Sequence, residues 1–310
     1  MAAPGSERPL LAIVGPTASG KTEAAVSVAE RLGAEIVSVD SATVYRGMDV
    51  GTAKPSSELR ARIAHHLLDV AEPSEAFTVA RYQELVREAV EGIRSRGCEA
   101  LLVGGSGLYF RAVVDGLAFP PTDPYVREAL EREAELLGAR GLHERLASTD
   151  PKAAVKIEPD NVRRTVRALE VVELTGQPFS SFARAWERYD EGGVRAAGID
   201  IPRPVLLERI ERRVHEQVSN GLVQEVHALV ERGFAGWLTA SQAIGYAEVA
   251  RHLQGELTLE EAIALIIKRT KALARRQLAW FRRDPRIRWF EAGEAGRATL
   301  VDDLTEHLRG

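Results

Sequence analysis

Hydrophobic positions in this chain fall into short continuous runs, separated by stretches in which they recur every three or four residues. Leu10 to Val14 is such a run and reads as a buried strand, followed by a helix over Thr22 to Leu32 that Gly33 stops. Glu35 to Asp40 reads as a second strand, carrying apolar Ile36, Val37 and Val39. Residues 78–96 have helical spacing, and Ala100 to Val103 form a third buried strand before Gly104-Gly105. Strands that alternate with helices and are apolar throughout predict a parallel sheet covered on both faces.

The pattern changes near Ala118-Phe119-Pro120-Pro121. From Tyr125 to Trp186 it is helical, with Asp160 or Asn161 able to cap a helix that Gly176 and Pro178 end. A strand returns at Ala196 to Ile201, closed by Pro202, and long helices are expected over Val205 to Glu231 and Leu259 to Phe281. The expected organisation is an α/β core of residues 1–117 and 196–310, interrupted by an all-helical insertion of residues 118–195. The first ten residues, with Pro4, Gly5 and Pro9, read as a loose tail.

Between the first strand and the first helix lies Gly15-Pro16-Thr17-Ala18-Ser19-Gly20-Lys21-Thr22, which fits G-x-x-x-x-G-K-[ST] at every fixed position. Each fixed residue has a physical task. The glycines allow a tight turn whose successive N–H groups converge on phosphate oxygens. The following helix directs its positive end at the same anion. Lys21 brings a point charge, and the Thr22 hydroxyl is a ligand for Mg²⁺. The loop therefore predicts a P-loop NTPase-like sheet that binds a diphosphate or triphosphate.

An NTPase of this type adds an apolar strand ending in an acid that orients Mg²⁺. The strand Ala100 to Val103 ends instead in Gly104-Gly105-Ser106-Gly107, where backbone and hydroxyl can approach a ligand closely. Asp40 is the acid at the carboxyl edge of the sheet, the edge at which such folds place ligands. It can orient a metal, serve as a general base, or cap the next turn. His65-His66 reads as a structural pair, because adjacent histidines do not share a tetrahedral site easily.

Composition sharpens this reading in two places. The net charge of -4 gives no overall sign of a nucleic-acid partner, yet nine Lys and Arg residues lie between Lys268 and Phe290 against one acid, Asp284. Trp280, Phe281, Trp289 and Phe290 are interleaved, a pattern suited to a single-stranded backbone with stacked bases. Arg163, Arg164 and Arg167 add a second basic group, and Arg209, Arg212 and Arg213 a third from which one arginine is expected to reach the phosphates. One cysteine, Cys98, excludes an internal disulfide framework and fits a reducing compartment. No apolar run is long enough to span a bilayer, so a cytoplasmic protein is expected, monomeric and with no protein partner implied.

With these residues laid out, the sequence resembles the tRNA dimethylallyltransferases, also called tRNA isopentenyltransferases. The resemblance runs from about Leu11 to Phe290. It rests on Gly15 to Thr22, Ser38-Val39-Asp40-Ser41, Gly51-Thr52-Ala53-Lys54-Pro55 and His66-Leu67-Leu68-Asp69. It continues through Gly104-Gly105-Ser106-Gly107-Leu108-Tyr109, Arg167-Ala168-Leu169-Glu170-Val171, Gly245-Tyr246 and Arg276-Gln277-Leu278-Ala279-Trp280.

The resemblance implies transfer of a dimethylallyl group from dimethylallyl diphosphate to the exocyclic amine of the adenosine 3′ of the anticodon. It implies that residues 15–22 hold the diphosphate with Mg²⁺, Lys21 and Thr22, with Thr22 as the metal ligand. By the same resemblance Asp40 takes the amine proton, and Arg213 steadies the leaving diphosphate. Asp40, Ser41, Ala42, Thr43, Ser106, Arg127, Arg163, Arg164, Thr165, Val166 and Arg167 match positions that contact the tRNA anticodon stem-loop. Ser106 stands where the family usually has threonine, Ala64 where it has proline, and Lys271-Ala272 where it has arginine-glutamine. Transfer to free adenine nucleotides, a P-loop small-molecule kinase and a non-catalytic RNA-binding protein are the alternatives.

Overall fold

The computed structural model describes residues 8–182, 188–189, 192–237, 239–292 and 296–310. Contacts divide the chain into two compact units, Met1–Gly116 with Asp190–Gly310, and Leu117–Tyr189.

The larger unit is built on six strands: β1 (Leu10–Val14), β2 (Ala34–Val39), β3 (His65–His66), β4 (Glu99–Gly104), β5 (Val194–Asp200) and β6 (Ile287–Glu291). They lie in the order β3-β2-β4-β1-β5-β6, and every neighbouring pair is parallel. Alternate residues of each strand face opposite sides, which explains the continuous apolar runs. Ala12 and Val14 of β1 pack on one face with Tyr82, Val86 and Ile93 of α3 (Val79–Ser95) and Phe110 of α4 (Gly107–Val114). Leu11 and Ile13 pack on the other with Ala24 to Val26, Val28 and Ala29 of α1 (Lys21–Leu32) and Leu304 and Leu308 of the C-terminal helix Gly296–Arg309. Both faces are covered, as the alternation of strands and helices predicts.

A short helix α2 (Ser57–Arg62) precedes β3, and a third apolar cluster gathers helices from the second half of the chain. Two helices replace the single one expected over Val205 to Glu231: α8 (Arg203–Ser219) and α9 (Leu222–Glu231). The break is at Gly221, whose φ of 99° is open to glycine at little cost. The expected helix Leu259 to Phe281 is present with those bounds and opens on a capping box between Thr258 and Glu261. Strands β3 and β6 and the helix at Gly296–Arg309 have no counterpart in the sequence reading.

Among the described residues the smaller unit holds three α-helices, α5 (Pro124–Thr149), α6 (Pro151–Lys156) and α7 (Val162–Thr175), around Leu130, Leu142, Leu146, Val166 and Leu169. The helical pattern expected from Tyr125 is made of these separate helices, and α5 itself bends at Gly138. Residues 183–187, in which that run was expected to end at Trp186, lie outside the described residues, as do residues 1–7 of the expected tail. Asn161 rather than Asp160 caps α7, accepting from the Arg164 N–H, and Gly176 closes it in the left-handed region. The remaining helices are α10 (Tyr246–Leu253), α11 (Leu259–Phe281) and α12, the C-terminal helix given above.

Candidate active site

The phosphate loop joins β1 to α1 at the carboxyl edge of the sheet. Gly20, with φ of 84°, turns the chain into α1, so the N–H groups of Lys21 and Thr22 open the helix without intrahelical partners. Ser19 is buried, and its hydroxyl has no partner among the described residues. Buried hydroxyls are almost always bonded, so an unanswered one inside an anion cradle marks a place for a ligand oxygen.

Lys21 donates to the carbonyl of Pro16 at 3.1 Å, which holds its ammonium over the loop. It is enclosed by protein although cavity water still reaches it. Burial and the neighbouring Arg213 push its pKa down to about 8, against the opposing pull of Asp40 and Glu23. Arg213 on α8 is lowered in turn by burial, and Asp40 pulls it upward. Lys21, Arg213 and Asp40 therefore form one electrostatic group, brought together from α1, α8 and the end of β2.

Asp40 directly follows β2 and accepts from the Ala42 N–H at 2.9 Å, which fixes the turn through Ser41. One of the roles open to it, capping the next turn, is thus filled by one oxygen. Thr43 is buried, its hydroxyl 3.0 Å from that of Ser38. Ser106 caps α4, and its N–H donates to the carbonyl of Val39 at 3.2 Å, which sets the Gly104–Gly107 loop beside Asp40's strand.

Two cavities meet at these residues. The larger, of about 1090 Å³, is lined by Ser19, Gly20, Arg60, Arg209 and Arg212 among others. The smaller, of about 520 Å³, holds Asp40, Ser41, Ala42, Thr43, Ser106 and Thr17. Lys21, Thr22, Ala53, Pro55, Arg213 and Gln217 line both. Lys21, Arg213 and the Thr22 hydroxyl thus stand where the two cavities meet, and Asp40 lines the smaller one.

Part of that boundary is the loop 49–55. Glu225 of α9 accepts from the N–H groups of Asp49, Val50 and Gly51, and Gln217 of α8 donates to the carbonyls of Val50 and Gly51. Lys54, almost fully buried, ties the loop to Asp49 and Asp69 at 2.5 Å each. Sequence reading found the Gly51 to Pro55 signature but neither of these clamps.

The histidine pair forms β3. His65 bonds to the carbonyl of Ile63, and His66 lies 2.6 Å from Glu35, whose carboxyl Arg96 and His66 hold down at about 2 against its burial. Among the described residues no cluster of three or more His, Cys, Asp or Glu side chains is arranged to hold a metal ion.

In the smaller unit, Arg127 and Arg167 both pair with Glu170, at 2.8 and 2.7 Å, and Glu170 has no exposed surface. Arg167 also donates to the carbonyls of Pro120 and Pro121. Arg163 and Arg164 are exposed. Thr165 and Val166 are not: they point into the unit's core, and Thr165 bonds back to the carbonyl of Asn161. Of the stretch 163–167, matched to positions that contact tRNA, only the arginines keep exposed side-chain surface.

The basic stretch Lys268 to Phe290 also divides. Lys268, Arg275, Arg276 and Arg283 are exposed, whereas Arg286 is buried in an ion network with Asp115 and Asp284. Arg269 pairs with Glu248, Lys271 with Glu211 and Arg282 with Asp200. Phe281 is a core residue packed edge-on against Phe110, so it is no stacking platform; Trp280 is exposed.

A parallel α/β sheet with a phosphate loop, a carboxylate across from it and no acid at the end of β4 defines a phosphate-binding protein of the P-loop type whose site differs from that of an ordinary NTPase. The model of one family, described as IPP transferase, matches residues 43–284. A tRNA dimethylallyltransferase of Streptomyces coelicolor is 49% identical over 94% of this chain and 93% of its own length. One of Moorella thermoacetica is 50% identical over 92% and 90%. Among solved structures, the tRNA isopentenylpyrophosphate transferase of Bacillus halodurans is 39% identical, with a TM-score of 0.70 over 98% of this chain and 97% of that one. That of Staphylococcus epidermidis is 32% identical, with a TM-score of 0.71 over 98% and 99%. This chain belongs to the IPP transferase family.

Proposed function

We propose that this chain is an enzyme that transfers a dimethylallyl group from dimethylallyl diphosphate to N6 of the adenosine 3′ of the anticodon in tRNA, releasing diphosphate. The observation that carries the reading is the pair of cavities meeting at Lys21, Thr22 and Arg213, with phosphate-loop donors on one side and Asp40 on the other. The diphosphate lies against residues 18–22 in the larger cavity, and C1 of the dimethylallyl group faces the smaller one.

In the reaction the N6 lone pair forms a bond to C1 as the C1–O bond breaks. The bonding electrons pass to the bridging oxygen, and the N6 proton passes to Asp40. Charge therefore grows on the diphosphate, where Lys21, Arg213 and the loop N–H groups stand; a donor of this kind is typically worth about 3 kcal/mol. The Thr22 hydroxyl, a hard oxygen donor, would hold Mg²⁺, which would supply neutralising charge at the diphosphate. Asp40 as base contributes about 10²–10⁴-fold. The adenine must leave its stack to reach Asp40, at a cost of a few kcal/mol that is smallest in an unpaired loop.

The exposed arginines of α7 and α11 are the proposed grip on the RNA backbone, with Ser41, Ala42, Thr43 and Ser106 near the extruded base. A tRNA substrate and a single cysteine support a cytoplasmic activity.

Incubation with dimethylallyl diphosphate, Mg²⁺ and unmodified tRNA, with AMP as competitor, tests the reading. It predicts prenylated adenosine in the tRNA digest and none on AMP. Preference for AMP, or consumption of ATP without RNA, contradicts it.

A further inference from the structure

Helix α11 turns Arg269, Leu273, Arg276, Gln277 and Trp280 onto the smaller cavity. Gln277 differs from its neighbours on that face because it is 9% exposed and reaches into the phosphate loop itself. Its Oε1 accepts the N–H of Thr17 at 2.8 Å. A backbone N–H can only donate, so this bond alone fixes which end of the amide faces the loop. The amide nitrogen is left facing Gly105, where a Cβ would stand 2.4 Å from it. A glycine at 105 is what lets the side chain through.

The position of this bond gives it a consequence. Thr17 belongs to the smaller cavity, whereas Ser19 and Gly20 belong to the larger one. Gln277 thus holds the leading half of the loop and occupies one N–H, while those of Lys21 and Thr22 stay open at the helix start. An unanchored loop must be ordered by the ligand, and that ordering reduces affinity. Neither the spacing of the phosphate-loop motif nor the basic pattern of α11 assigns any role to this glutamine.

We propose that Gln277 is a positioning residue for the prenyl donor: by anchoring Thr17 it sets the phosphate loop in its diphosphate-binding form and so governs donor affinity, not acceptor affinity. The proposal rests on the function given above. Its test is steady-state kinetics of Gln277→Met, which has similar bulk but no acceptor, and of Gln277→Glu, which keeps the acceptor and sets a negative charge beside the diphosphate. The expected result for Gln277→Met is a rise of about tenfold in the KM for dimethylallyl diphosphate, with the tRNA KM unchanged. Gln277→Glu raises the same constant, and the defect narrows as pH falls and its carboxylate is protonated.

A donor KM unchanged in either folded variant overturns the proposal, as does an equal rise in both KM values. Should Gln277→Met fail to fold, the pH dependence of Gln277→Glu decides the matter. If the wild-type protein makes no prenylated adenosine, it is the function that fails. The anchor is then read by calorimetry with inorganic diphosphate, where Gln277→Met must still weaken binding and equal affinity refutes it.

Discussion

Lys21 illustrates how one side chain's environment becomes a pH dependence. Burial and Arg213 hold its pKa near 8, below that of a free lysine. In the empty protein its charge is therefore present below about pH 8 and lost above it. The KM for dimethylallyl diphosphate is expected to be flat below that value and to rise through pH 8–9, and Lys21→Met removes the rise while costing about 10²–10³ in kcat. For folding the sign is opposite. The unfolded chain binds more protons than the folded one between pH 8 and 10.5, so this group's contribution to stability increases across that window. A donor KM that does not change with pH through this range contradicts the placement of the ammonium beside Arg213. Residues such as Lys21 were legible because the phosphate loop is a local motif whose every member serves the same anion. The role of Gln277 is not, because its bond to Thr17 spans 260 residues and the run Arg276 to Trp280 carries no sign of it. Thr165 and Val166 share a helical stretch with three arginines but are buried, because helix geometry turns successive residues to different faces.

At the level of elements, the elements that were legible were those whose apolar pattern suffices by itself. β1 has buried residues on both faces, and α11 has a periodic face with a capping box at its start. β3 is two residues long and exists only through pairing with Ile36 and Val37. β6 was hidden because Arg288 lies between Ile287 and Trp289, so the run read as a nucleic-acid track. The break between α8 and α9 had a signal, Asn220-Gly221, that the surrounding helical period overrode. α5 and α7 yield a prediction of their own. Burial raises the pKa of Glu170, but Arg127, Arg167 and the Asp123 N–H outweigh it, leaving the carboxylate charged and fully enclosed. Glu170→Ala leaves two partly buried arginines without their carboxylate, and is expected to cost about 3–5 kcal/mol, measured by urea denaturation. A loss below 1 kcal/mol would show that the two arginines find other partners.

The whole molecule carries a net charge of -4, so its attraction to RNA must come from local clusters. Lys268, Arg275, Arg276 and Arg283 are exposed on and just beyond α11, while four other cations of that stretch are committed to carboxylates. Replacing Lys268 and Arg276 together by alanine should flatten the plot of log affinity for an anticodon stem-loop against log salt by about 0.7 per lost phosphate contact. An unchanged slope would remove α11 from the interface.

The central claim is that Asp40 takes a proton at the centre where the phosphate loop holds the donor. Single-turnover chemistry of preassembled enzyme, dimethylallyl diphosphate and unmodified stem-loop tests it most directly, comparing wild type with Asp40→Asn. The account predicts that prenyl transfer slows by about 10²–10⁴-fold in the variant while both substrates remain bound. Transfer at the wild-type rate from the Asp40→Asn complex would contradict it.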